Sequence, residues 1–342
     1  MKSRDSILKG VRRAAELQKE LGLREILCGG SRPVDVMDVI RQLGLALLFR
    51  PLDSLLGAYV PGPVTSGILI TTKRDQHVQR FTAAHELGHH VLNHRAVSVD
   101  CDVGYVGRGA LPGDNGKAQG AKAFASYSDQ ELEADSFAAE FLLPKWLVVS
   151  HVRRQGWGRS DLRDPNKVYQ LSLRLGASYS ATCCALRSNE LIDYNVAANL
   201  MKCRPRECKR QAFPDWEPED WYRDVWLLTD QDTGCTVLGS ADDVVVLSLR
   251  EMVSSGHVWD VAPLMSAGLQ IDKDERVSPQ VENLGASVTR RLIAHGVARS
   301  HVQLTQRRPW ESGGAPVGSF ELDLKLTNRE LGLPFWERPT TV

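Results

Sequence analysis

The sequence predicts an α+β domain, built from helices around a small antiparallel sheet, followed by an all-β sandwich. Three observations carry this. Apolar residues recur at helical spacing in the first half of the chain, as at Ile7, Val11, Ala14, Ala15 and Leu17. Short β-rich runs broken by Pro and Gly interrupt those helices. Beyond residue 225 the helical period gives way to short alternating runs separated by turn signals, the pattern of a sandwich.

In order, residues 3–21 read as an amphipathic helix, and Pro33 opens a second one, VDVMDVIRQLGL. LALLFRPL, LGAYVP and SGILITT form the sheet. A helix spans about 79–94, a Gly- and Asp-rich stretch from Ser98 to Lys122 reads as a long loop, and a helix over about 128–143 stops at Pro144. Two more helical stretches reach about Ser188. Residues 1–150 are thus expected to be one domain, 151–199 a helical extension, 200–224 a basic linker rich in Arg, Lys, Pro and Trp, and 225–342 the sandwich.

At 342 residues the chain exceeds one ordinary hydrophobic core. Basic and acidic residues balance at 42 each, so no overall field draws it to nucleic acid or membrane. The N-terminus spreads charge throughout, and no stretch reaches the roughly 20 apolar residues of a spanning helix. Seven cysteines without CxxC spacing fit free thiols in a reducing compartment, so a cytoplasmic location is expected.

The chemistry concentrates in Phe81-Thr-Ala-Ala-His85-Glu86-Leu87-Gly88-His89. Residues four apart share a helix face, so His85 and His89 can converge on one ion with Glu86 beside it. Zinc there would polarise a scissile carbonyl and make water acidic, with Glu86 as general base. A third ligand is needed. A metzincin would place a histidine ten residues after His85, but that position is Arg95, and its expected glycine position is Leu92. His90 and His94 read as surface groups or as neighbours of the ligands, not as ligands.

The next helix offers the missing ligand in Gln130-Glu131-Leu132-Glu133-Ala134-Asp135. Glu131 and Asp135 lie one turn apart, so Glu131 can ligate zinc while Asp135 accepts a hydrogen bond from a ligand imidazole, a gluzincin-like set. The rival places Glu133 on the metal and leaves Glu131 in solvent. Tyr59, Tyr105 and Tyr127 are all candidates for the donor opposite the metal.

RFTAAHELGHHVLNH followed by ELEADSFAAEFLLP resembles the ImmA/IrrE family of bacterial zinc metallopeptidases over roughly residues 30–190. That resemblance implies cleavage of a helix-turn-helix transcriptional repressor, switching on stress or anti-phage genes. A reading from another class is a non-catalytic regulator that senses a ligand or DNA through a degenerate peptidase fold and its sandwich; the intact Glu86 argues against it. The long loop after the first zinc helix carries Cys101, whose thiolate would hold the site latent if it ligated zinc.

Two basic stretches, His151 to Arg154 with Arg159 and Arg163, and Lys202 to Arg210, suggest DNA as a further partner. In the C-terminal part, Ser255-Gly256-His257-Val258-Trp259 and Arg308-Pro309-Trp310 resemble the binding loops of chagasin-type cysteine-peptidase inhibitors, which have an immunoglobulin-like sandwich. The resemblance implies Gly256, Trp259, Arg308, Pro309 and Trp310 as binding-loop residues in an interaction or sensor module. His257 stands where that pattern carries an aromatic residue.

Overall fold

A computed structural model of the chain describes residues 2–94, 98–101, 129–212, 221–277, 288–311, 313 and 315–328. Helices α1 (Lys2–Glu20), α2 (Leu23–Leu27) and α3 (Val36–Gln42) precede strands β1 (Ala46–Arg50), β2 (Leu55–Val60) and β3 (Gly67–Thr71). Helix α4 (Gln76–Val91), strand β4 (Ser98–Cys101) and helix α5 (Asp129–Leu142) follow. Asp35, accepting from Asp38 N, starts α3 two residues after the proline expected to open it.

The sheet runs β1-β3-β2-β4 and is mixed rather than wholly antiparallel. β1 pairs parallel with β3, because α3 delivers β1 to the sheet in the same direction as β3, while β2 is antiparallel to both β3 and β4. β4 occupies the start of the stretch expected to be loop; its backbone finds partners on β2 that period and composition do not reveal. Residues 102–128 lie outside the described residues.

Helices α1, α4 and α5 stack on one another below this sheet. Ala14 and Leu17 of α1, Ala83, Ala84 and Leu87 of α4, and Phe137, Ala138 and Phe141 of α5 all join one buried core. Phe137 and Phe141 stack with centroids 5.4 Å apart. Gly88 lets α4 and α5 approach closely: a Cβ there would sit 3.0 Å from Phe137 Cδ1 and 3.2 Å from Ala134 Cα.

Five further helices extend this core without a break. These are α6 (Lys145–Arg154), α7 (Pro165–Leu175), α8 (Tyr179–Ser188), α9 (Tyr194–Leu200) and α10 (Pro205–Ala212). α7 begins at an Asp164 cap with Pro165 in its first position, and Asp193 caps α9. The basic stretch expected as a linker is helical over α10. Cys208 packs into the core, and Lys209 is drawn in by Trp221 O at 3.0 Å and Asp224 at 3.2 Å.

The C-terminal part is two four-stranded sheets. One runs β5-β7-β10-β9 and the other β6-β12-β11-β8. Their strands are β5 (Val225–Thr229), β6 (Cys235–Ser240), β7 (Val244–Glu251), β8 (Val258–Trp259), β9 (Gln270–Val277), β10 (Val288–His295), β11 (Ala298–Arg307) and β12 (Gly318–Thr327), with helix α11 (Ala262–Ser266) between β8 and β9. The alternate residues Val237, Leu304, Phe320, Leu322 and Leu324 meet Trp226, Leu228, Leu247 and Leu292 in the core.

Edge strands β5 and β6 face the helical part. Gln170 of α7 accepts from Leu227 N at 2.9 Å and donates to Val225 O at 2.8 Å, pairing with β5 as a neighbouring strand would. Thr236 N of β6 donates to Ser31 O at 2.8 Å.

Candidate metal centre

His85 and His89 are wholly buried on α4, because that helix is covered by the sheet on one side and by α5 on the other. Their Nε2 atoms are 3.1 Å apart. Glu131, from the first turn of α5, brings Oε2 to 3.2 Å from His85 Nε2 and Oε1 to 3.6 Å from His89 Nε2. Ligand atoms of a tetrahedral zinc with Zn–N near 2.05 Å lie roughly 3.3 Å apart, so the donor set and its spacing fit that ion. Among the described residues these three are the group whose donor atoms converge in this way.

Asp135, one turn beyond Glu131, lies 2.8 Å from His85 Nδ1. It leaves Nε2 of that ring as the atom turned to the centre. Burial alone would lower the His85 pKa, but the hydrogen bonds it donates to Asp135 and Glu131 outweigh it and push the value up to about 10. Burial opposes ionisation of Glu131, whereas both imidazoles hold its carboxyl well below the usual carboxylate range. The pocket is built to hold positive charge.

Glu86 is fully buried on the same turn of α4. Gly57 of β2 passes over it: a Cβ at Gly57 would stand 3.4 Å from Glu86 Oε1 and 2.4 Å from Thr82 Cγ2. The missing side chain lets the strand cross the carboxylate at close range.

Glu133, the rival ligand, turns elsewhere. It meets His94 Nε2 at 3.0 Å and Lys9 Nζ at 2.6 Å. His94, bland in sequence, is buried with Nδ1 2.8 Å from His89 Nδ1. Its signal was its place just past the end of α4, visible only once the chain's turn there is known. Tyr59 lies 3.1 Å from His90 Nδ1, and Tyr105 and Tyr127 fall outside the described residues. Cys101 ends β4, with its main chain paired to Leu55; its side chain is not described.

The remaining candidates lie far along the chain. Trp259 is buried on β8, donating from Nε1 to Arg250 O at 2.9 Å, so it serves the sandwich core rather than an exposed loop. Trp310 is 69% exposed and rests against Gly256, and Arg308 Nε donates to Ser255 O at 2.9 Å. Pro309, itself exposed, joins the half-buried Arg308 to Trp310. Of the basic residues, Arg154 reaches Gly29 O and Thr233 O, and Arg206 and Arg210 lie over the Trp221 ring. His151 is buried.

Residues 40–187 match the family model described as the IrrE N-terminal-like domain, Peptidase M78. No curated protein matches the chain. Among solved structures, the chain is similar to the cysteine protease inhibitor EhICP2 from Entamoeba histolytica, at 20% identity and a TM-score of 0.28, over 31% of this chain and 97% of that one. It is also similar to Amebosin, at 18% identity and a TM-score of 0.24, over 30% and 97%. Among the described residues no helix is long and apolar enough to cross a membrane.

Proposed function

We propose that residues 40–187, which match the IrrE N-terminal-like domain model, form a zinc-dependent endopeptidase that cuts a helix-turn-helix transcriptional repressor. Its cleavage would release stress or anti-phage genes in the cytoplasm. The observation that carries the peptidase reading is the convergence of His85, His89 and Glu131 with Glu86 buried in the same helical turn. The repressor rests on the resemblance of RFTAAHELGHHVLNH and ELEADSFAAEFLLP to the ImmA/IrrE pattern.

Zinc, when bound, acts as a Lewis acid toward the scissile carbonyl and acidifies water. His85 and His89 would hold it through Nε2, and Glu131 would add one negative charge that tightens the hold and still leaves the centre a net cation. Asp135 fixes the His85 ring. Glu86 accepts the proton of the attacking water and hands it to the departing amine.

The test is metal analysis with cleavage of a repressor encoded beside this chain, using wild type and Glu86→Gln. We expect about one zinc per chain in both proteins, and cleavage reduced by about 10²- to 10⁴-fold in Glu86→Gln. Absence of zinc, or equal cleavage by both, defeats the peptidase reading. Cutting of unrelated unfolded peptides with the repressor left intact discards only the substrate.

A further inference from the structure

Helix α4 does not simply end after its second ligand. Asn93 takes a left-handed conformation at φ 57°, a conformation asparagine tolerates, and the chain folds back so that His94 N donates to His89 O at 3.0 Å. The turn brings the His94 ring edge-on to His89, with centroids 4.9 Å apart. A line of contacts then runs outward from the metal centre. His89 Nδ1 meets His94 Nδ1 at 2.8 Å, His94 Nε2 meets Glu133 Oε2 at 3.0 Å, and the same oxygen accepts from Lys9 Nζ at 2.6 Å.

Only one arrangement of protons satisfies this line with neutral rings. An ionised carboxylate can only accept, so His94 carries its proton on Nε2 and donates it to Glu133. His94 Nδ1 is then an acceptor, which makes His89 Nδ1 the donor. The His89 lone pair is left on Nε2, the atom facing His85 and Glu131. Asp135 does for His85 what His94 does for His89.

We propose that Lys9, Glu133 and His94 are positioning residues for the metal, fixing the tautomer and ring orientation of His89. Lys9 belongs to α1, which lies outside the matched residues 40–187, so the N-terminal helix completes the metal centre. The proposal rests on the reading of His85, His89 and Glu131 as ligands.

Zinc affinity of the metal-stripped full chain, measured by competition with a chromophoric chelator, tests it. We expect His94→Phe to bind zinc about 10- to 100-fold more weakly. His94→Gln, whose amide both accepts and donates, recovers most of the loss. Lys9→Met weakens binding by up to about fivefold; an unchanged value removes α1 from the proposal. A folded His94→Phe protein with wild-type affinity overturns it, leaving the ligand reading intact, whereas wild type that fails to bind zinc defeats the ligand reading itself. Should His94→Phe not fold, nitrogen-15 NMR of the zinc-loaded wild type decides. His94 protonated on Nε2 supports the proposal, and His94 protonated on Nδ1 overturns it.

Discussion

His151 on α6 shows how a single buried side chain sets a pH limit. Burial, reinforced by the positive charge of Arg174, pushes its pKa down to about 4. The folded value lies below the unfolded one, so the stability tied to the neutral ring is present above about pH 6.5 and is lost as pH falls toward 4. The shift corresponds to about 3 kcal/mol. Denaturant titrations between pH 7 and 4 should show His151→Gln losing less stability than wild type over that window; identical slopes would contradict this. The same scale shows what sequence reading reaches and where it stops. His85, Glu86 and His89 are legible because one helix supplies all three. Glu131 and Glu133 stand two positions apart on α5, so they point to different sides of it, and either orientation is compatible with the local pattern. The choice is made by Lys9 and His94, and Lys9 is 124 residues away from Glu133 in sequence.

At the scale of elements, the contact between α4 and α5 controls the ligand set, since His85 and His89 ride on one and Glu131 on the other. Gly88→Ala tests it. Alanine favours a helix over glycine by about 1 kcal/mol, yet here its methyl would press on Phe137 and Ala134, and overpacking of this kind costs about 1–3 kcal/mol. We expect a net loss of about 1 kcal/mol in urea unfolding with an unchanged slope; a gain in stability would show that the helices have room to spare. The long helices α1, α4 and α5 were legible because their apolar period is long. Three strands have no apolar alternating run of their own, each for a different cause. β9, QIDKDERV, alternates charges and lies at the edge of its sheet, so it offers no apolar run. β8 is two residues long, and β4 is defined by its pairing with β2 rather than by its own composition. α10 was hidden because its basic residues suggested a solvated linker, whereas Lys209 and Cys208 turn inward.

For the whole molecule, the sandwich is joined to the helical part by a buried polar joint. Arg174 of α7 donates to both oxygens of Asp232, at 2.9 and 2.8 Å, and Asp232 also accepts from Gln155 at 2.7 Å and from Thr229 N at 2.9 Å. Every partner is satisfied, and Gln76, in the first turn of α4, adds a bond to Gly239 O at 3.0 Å. Asp232→Ala would strand the Arg174 charge in the interior, and we expect it to lose about 3–5 kcal/mol. Wild type should melt in one transition by scanning calorimetry; two separated transitions would show that the halves fold independently. The composition shift near residue 200 marks a change of architecture, and buried side-chain bonds tie what lies on either side of it. The Gln170 amide completing the edge of β5 makes the two halves a matched pair. A foreign sandwich grafted after α10 would have to present a strand edge in the same register and a carboxylate where Asp232 stands. Exchange of C-terminal modules among such proteins is therefore open only to donors that already carry both.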